Sequence, residues 1–163
     1  MLIDKEIRRW IAQDKMIQNY IDLDIQLQPN GFDLTIKDIM MFTDEREPYI
    51  DFANKNRRIS STIPILLAGG EYHLEQGIYL FRANEIFKTP DKIVGWGMSR
   101  STLSRCGIVL NSAVLDAGYS GHLVFVMYIP RAITFSKNAR FVQMIFFRLK
   151  EAPNQLYGGI YKE

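Results

Sequence analysis

Leu2, Ile3, Ile7, Trp10 and Ile11 recur close to helical spacing, with Asp4 and Glu6 toward the positive end of the helix dipole. This pattern predicts a short helix over 2–12, and a second short turn over 14–19 completes an N-terminal helical segment, 1–20. From Ile21 onward the texture changes. Short apolar or alternating runs recur between Gln28-Pro29-Asn30-Gly31, Gly69-Gly70, Thr89-Pro90-Asp91, Gly118 to Gly121 and Pro130-Arg131. Strand-length runs closed by turn residues predict a mainly β domain of antiparallel strands, a barrel or jelly roll. Ser101 to Cys106 breaks the rhythm and is expected as one short internal helix. The polar stretch 43–61 is expected as a long surface loop or weak edge hairpin. The tail, 152–163, carries glycines and tyrosines and is expected to be mobile and to order over a ligand.

Size and charge narrow the partners. A chain of 163 residues, 47% hydrophobic and 23% charged, is enough for a single domain with its own core. The net charge of +2 creates no bulk field for nucleic acid or anionic lipid, so any polyanion must be held by a local cluster. The longest apolar runs, such as Ile63 to Ala68 and Phe141 to Phe147, are too short to cross a bilayer. MLIDKEIRRW lacks the apolar run of a signal peptide. Cys106 is the only cysteine, so no intrachain disulfide forms. The expectation is a cytoplasmic protein (a host's cytoplasm, for a viral source) that binds neither nucleic acid nor membrane.

Four polar clusters interrupt the strand pattern. In GMSRSTLSRCG, a helix opening at Ser101 would aim its hydroxyl and free N–H groups the same way as Arg100, making an anion pocket with Arg105 close by. A capped turn with solvated arginines accounts for the same residues. Asp116 leaves an apolar strand for a glycine-bounded turn, where a carboxylate can act as general base on water, and Tyr119 in that turn offers a flat face to a sugar or base. A hairpin aspartate that merely accepts turn N–H groups fits equally. Asp33, after Pro29-Asn30-Gly31, could hold a water on a divalent cation or simply serve its turn. Gln143 interrupts a buried-looking strand, either as a satisfied core amide or as a pocket wall. His73, His122 and Cys106 have no zinc-site spacing, and no nucleotide loop or nucleophile elbow of a known pattern is present.

Taken in order, QPNGFDL (28–34), SRSTLSRCGI (99–108), VLDAGYSGHL (114–123) and RFVQMIFF (140–147) resemble successive motifs of the trimeric dUTPase and dCTP deaminase superfamily. The tail YGGIY (157–161) resembles the Y-x-G-x-Y segment of its archaeal-type members. The resemblance implies a distorted jelly roll, a homotrimer and active sites at subunit boundaries. It implies Asp116 as the residue that orients and deprotonates water, and Tyr119 as packing on deoxyribose. Arg100, Ser101, Arg105 and Gln143 are implied on the phosphates, and Asp33 on Mg²⁺ through water. The hairpin around Asn111 to Leu115 is implied on the uracil edge, with Tyr157 and Tyr161 closing the site. The interval from Arg100 to Asp116 is closer to the deaminase-like branch than to the common dUTPase pattern.

One position separates the branches. Deaminases of this superfamily carry a glutamate ten residues beyond the motif aspartate; here it is Val126, and no acid lies between Ala117 and Phe147. Without that acid or a zinc ion, cytosine deamination lacks a proton carrier. The expected activity is therefore hydrolysis of dUTP, or a related deoxynucleoside triphosphate, to dUMP and pyrophosphate by Mg²⁺-assisted water attack on the α-phosphorus. The alternatives are a dCTP deaminase or bifunctional enzyme using His122, and a non-catalytic nucleotide-binding regulator.

Overall fold

A computed structural model describes residues 1–161. In chain order the elements are α1 (Asp4–Asp14), β1 (Ile17–Gln18), α2 (Leu23–Gln26), β2 (Leu27–Gln28), β3 (Gly31–Phe42), β4 (Thr62–Pro64), β5 (Glu71–Leu74), β6 (Gly77–Lys88), β7 (Ile93–Ser99), α3 (Ser101–Arg105), β8 (Val109–Asn111), β9 (Val114–Leu115), β10 (Ser120–Ile129), β11 (Ile133–Ser136) and β12 (Arg140–Arg148). The mainly β expectation is met, as is the pair of helices.

The N-terminal segment is more varied than its sequence suggests. Glu6 reaches back to accept from the Ile3 N–H at 3.1 Å, starting α1, and Lys15 at φ 54° ends it. Ile7 and Ile11 are the buried face. The turn expected over 14–19 is instead β1, a two-residue strand whose Ile17 and Gln18 pair with Phe87 and Ile86 of β6. A strand that short has no periodicity to read. The added helix α2 is held by Asp22, whose side chain accepts from the Asp24 and Ile25 N–H groups at 2.9 and 3.0 Å.

The main sheet runs β8-β10-β6-β3-β12-β7-β9, with β1 on β6 and β2 and β4 on β3; β11 and β5 form a separate pair. The two edge strands, β8 and β9, are consecutive in the chain and are joined by Ser112 and Ala113 alone. Consecutive Cα atoms lie about 3.8 Å apart, so a link this short forces the sheet to curl until its edges adjoin. Its interior is aromatic: Phe81 stacks on Phe141 at 5.7 Å, and Phe125 and Phe135 meet those rings edge-on at 5.7 and 5.5 Å. Outside, two apolar faces remain uncovered. Ile78, Val124 and Tyr128 make one, Trp96, Met98 and Val114 the other. The stretch 43–61 is mostly irregular, with a single bridge between Tyr49 and Arg58. No helix among the described residues is long and apolar enough to cross a membrane.

Candidate active site

Asp116 sits where β9 leaves the barrel, exposed between buried Leu115 and Ala117. Its backbone is pinned. The Tyr119 N–H donates to the Asp116 carbonyl at 3.3 Å, the Gly118 N–H to Thr89 at 3.1 Å, and the Thr89 N–H to Tyr119 at 2.8 Å. Gly118 is at φ +79°, where an L side chain is strained, and a Cβ there would lie 2.8 Å from that of Leu156. The carboxylate itself has no hydrogen-bond or ion-pair partner among the described residues. A rigid turn with an unfilled carboxylate is the arrangement a general base on water requires.

The tail comes to the same turn. The Tyr157 N–H donates to Ala117 at 2.9 Å, and the Tyr157 ring meets Tyr119 edge-on at 5.2 Å. Asp116, Ala117, Pro153, Gln155, Leu156 and Tyr157 line a cleft of about 370 Å³. Tyr119 is therefore not an open platform: it is 8% exposed, its hydroxyl donates to His122 at 2.6 Å, and Tyr157 covers its ring. Tyr161 lies farther along, beneath the Arg57 guanidinium at 5.2 Å.

Asp33 has the opposite surroundings. It is 2% exposed and accepts from Arg100 Nε at 2.9 Å and Arg140 Nη1 at 3.2 Å. Arg100 Nη1 also donates to the Arg140 carbonyl at 3.2 Å, and Arg140 Nη1 to Ile25 at 2.9 Å. Burial pushes the Asp33 carboxyl above its ordinary pKa, while the Arg100 and Arg140 charges pull it back. Behind it, Gln26 Nε2 donates to the Asp33 carbonyl at 2.8 Å and to Glu85 at 2.7 Å, and Glu85 also accepts from the Thr35 N–H and hydroxyl at 3.0 and 2.6 Å. Glu85 has no ion-pair partner among the described residues, and burial raises its pKa against these hydrogen bonds.

This geometry does not suit the expected role of Asp33 toward magnesium. A hydrated cation needs an open carboxylate oxygen, whereas Asp33 is enclosed and already faces the Arg100 and Arg140 guanidinia. No cluster of three or more His, Cys, Asp or Glu side chains is found among the described residues. Asp33 fits the part of a strut that aims Arg100. Arg100 is correspondingly less free for phosphate than its sequence position suggests.

Ser101 is exposed at the first turn of α3, and Gln143 is half-buried in β12, in register between Asp33 and Met98. Its side chain lies over Gly31, where an added Cβ would come within 3.0 Å of Gln143 Cγ and 2.5 Å of the Met144 carbonyl. Asn111 is exposed at the end of β8, opposite Val126. It lines a cavity of about 520 Å³ with Trp96, Met98, Ser104 and Ser112. Arg105 opens on another cavity, of about 330 Å³. The Asp116 cleft shares no lining residue with either. Within one protomer the Asp116 cleft and the Arg105 cavity are therefore separately lined spaces. His122, the alternative proton carrier, is occupied: Nδ1 lies 2.9 Å from the Ala83 carbonyl and must carry the hydrogen, so Nε2 accepts from Lys37 Nζ at 3.1 Å.

Arg140, Gln26, Thr35 and Glu85 were not among the sequence candidates. Their only signal is polarity inside apolar runs, Glu85 within ANEIF and Thr35 within DLTI.

The model of the dCTP deaminase-like family matches residues 1–149. A probable deoxyuridine 5'-triphosphate nucleotidohydrolase of Methanosarcina mazei is 36% identical over 99% of this chain and 96% of its own length. The deoxyuridine 5'-triphosphate nucleotidohydrolase of Methanocaldococcus jannaschii is 35% identical over 84% of this chain and 87% of its own. Among solved structures, the 2'-deoxycytidine 5'-triphosphate deaminase of Agrobacterium tumefaciens superposes with a TM-score of 0.67 at 23% identity. That match covers 89% of this chain and 45% of the other, and it carries the fold alone.

Proposed function

Since the chain belongs to the dCTP deaminase-like family, we propose that it is a dUTP nucleotidohydrolase, releasing dUMP and pyrophosphate, with Asp116 as its base. The inventory of proton carriers carries this reading. Val126, half-buried opposite Asn111, cannot move a proton, and no acid follows between Ala117 and Phe147. His122 has both ring nitrogens engaged. Asp116 is left as the open carboxylate, which suits water activation and leaves ring deamination without a second acid.

Asp116 takes a proton from water as the water oxygen bonds to the α-phosphorus. The bond from that phosphorus to the oxygen bridging to the β-phosphate breaks, and pyrophosphate leaves with its electron pair. Bound magnesium would supply charge neutralisation on the triphosphate. Ser101, Gln143 and the arginines hold the phosphates, the 107–115 hairpin reads the uracil edge, and Tyr119 and Tyr157 bound the sugar. The active assembly is a homotrimer, in which a neighbouring copy supplies the phosphate residues that one protomer sets apart from Asp116. The uncovered faces support this assembly: Ile78, Val124, Trp96, Met98 and Val114 are each at least half exposed. A single-domain enzyme of the cytoplasm is the reading that goes with it.

The test is a panel of dUTP, dCTP, dTTP and UTP with Mg²⁺, measuring pyrophosphate and ammonia together. Pyrophosphate from dUTP without ammonia from dCTP is expected. Ammonia release, or no pyrophosphate from any of the four, would overturn the reading.

A further inference from the structure

The cavity at the C-terminal end of α3 holds two cations and no counter-charge. We propose that Arg131, paired with Arg105, forms the seat for the polyphosphate end of the substrate, an inference that rests on the dUTP-hydrolysing reading. Arg105, Cys106, Ile108, Pro130, Arg131 and Ile133 line this space of about 330 Å³, and no acidic side chain among the described residues does. Arg8, Arg82, Arg100, Arg140 and Arg148 each hold a carboxylate. Neither Arg105 nor Arg131 has any such partner among the described residues. Two guanidinia facing one small space repel until an anion of several charges lies between them.

The backbone brings the pair together. Gly107, at φ +79°, reverses the chain straight after α3, and a Cβ there would meet Pro130 Cγ at 3.3 Å and Arg131 Nη2 at 4.0 Å. The Pro130-Arg131 turn is thus packed against the end of α3, which fixes where Arg131 projects. Ile108, Pro130 and Ile133 make the lining partly apolar, which strengthens a charge-assisted hydrogen bond made there. Ile108 also lines the hairpin cavity of Asn111 and Ser112, so an anion held by the two arginines adjoins the space open to a nucleoside. Arg100 is less free than either, since its Nε is engaged by Asp33 and its Nη1 by the Arg140 carbonyl.

The experiment uses the full-length protein with Arg131→Ala and Arg131→Lys. The readouts are KM and kcat for dUTP, and the response to inorganic tripolyphosphate as competitive inhibitor and as thermal-shift ligand. Arg131→Ala is expected to raise KM and weaken tripolyphosphate inhibition about 10- to 100-fold, the span of a lost charge-assisted hydrogen bond, with kcat changing less. Lysine restores the charge without the planar fork and recovers part of the loss. Wild-type KM and wild-type tripolyphosphate response in Arg131→Ala would overturn the proposal, as would a wild type that does not bind tripolyphosphate. A wild type that binds tripolyphosphate but releases no pyrophosphate from dUTP refutes the activity and leaves the arginine seat standing.

Discussion

Asp33 and Asp116 both stand beside a turn at the end of a strand, yet the fold uses them in opposite ways. Asp33 is 2% exposed and bound by Arg100 and Arg140; Asp116 is exposed, on a pinned backbone, with its carboxylate unfilled. A base needs vacant lone pairs, whereas a strut needs filled ones. Burial with partners turns a carboxylate into a geometric constraint, and exposure on a rigid turn keeps it available to water. The sequence motif shows the aspartate in each case, but not which of these it becomes.

Substitutions can break this contrast or sharpen it. The largest expected effect is on turnover. Asp116→Asn should lower pyrophosphate release about 1,000-fold, while thermal unfolding changes by less than about 0.5 kcal/mol and nucleotide affinity by less than about tenfold. Wild-type turnover in that variant would remove Asp116 from the chemistry. Asp33→Ala should instead cost about 3 kcal/mol in urea unfolding, because it strands the Arg100 and Arg140 charges around a buried site. A fully stable Asp33→Ala protein would show that the clamp is dispensable.

Glu85→Gln sharpens the contrast through pH. At acid pH the protonated Glu85 has one O–H to turn away from the Thr35 and Gln26 donors, whereas an amide sets both N–H groups of its –NH₂ among them, costing about 2 kcal/mol. Burial raises the Glu85 pKa in the folded chain above the ordinary 4.5, so the folded state keeps its proton longer than the unfolded one. Wild-type stability from this group is therefore lost as pH climbs through the raised value, and the amide has no such titration. The gap between the two proteins should narrow from acid toward neutral pH, as followed by urea midpoints. A gap that widens with pH contradicts the buried-acid account. The smallest effect belongs to the tail. Tyr157→Ala removes the edge-on contact with Tyr119, worth about 1 kcal/mol, and should appear as faster proteolytic nicking beyond residue 150 with little change in the core.

Much of this was legible beforehand, and the reason differs by element. Turn residues and alternating runs mark β10 and β12 because the side-chain period is local. The exit of Asp116 from its strand is equally local, since Leu115, Gly118 and Gly121 surround it in sequence. The clamp was not legible: Asp33 and Arg140 lie 107 positions apart, and only the pairing of β3 with β12 joins them. Glu85 reads as one acid in a strand, since Gln26 is 59 positions away and Thr35 is 50. Tyr119 was legible as an aromatic face but not as one half of a pair, because only the fold brings Tyr157 edge-on to it.

The Ser112-Ala113 link has one more implication. The segment nominated to discriminate pyrimidines is also the seam of the barrel, so its length is fixed from both sides. Lengthening it to admit a bulkier ring would let β8 and β9 drift apart, and shortening it would strain the closure. New substrate preferences must therefore arise here by exchanging side chains on an unchanged backbone, and insertions belong elsewhere on the surface.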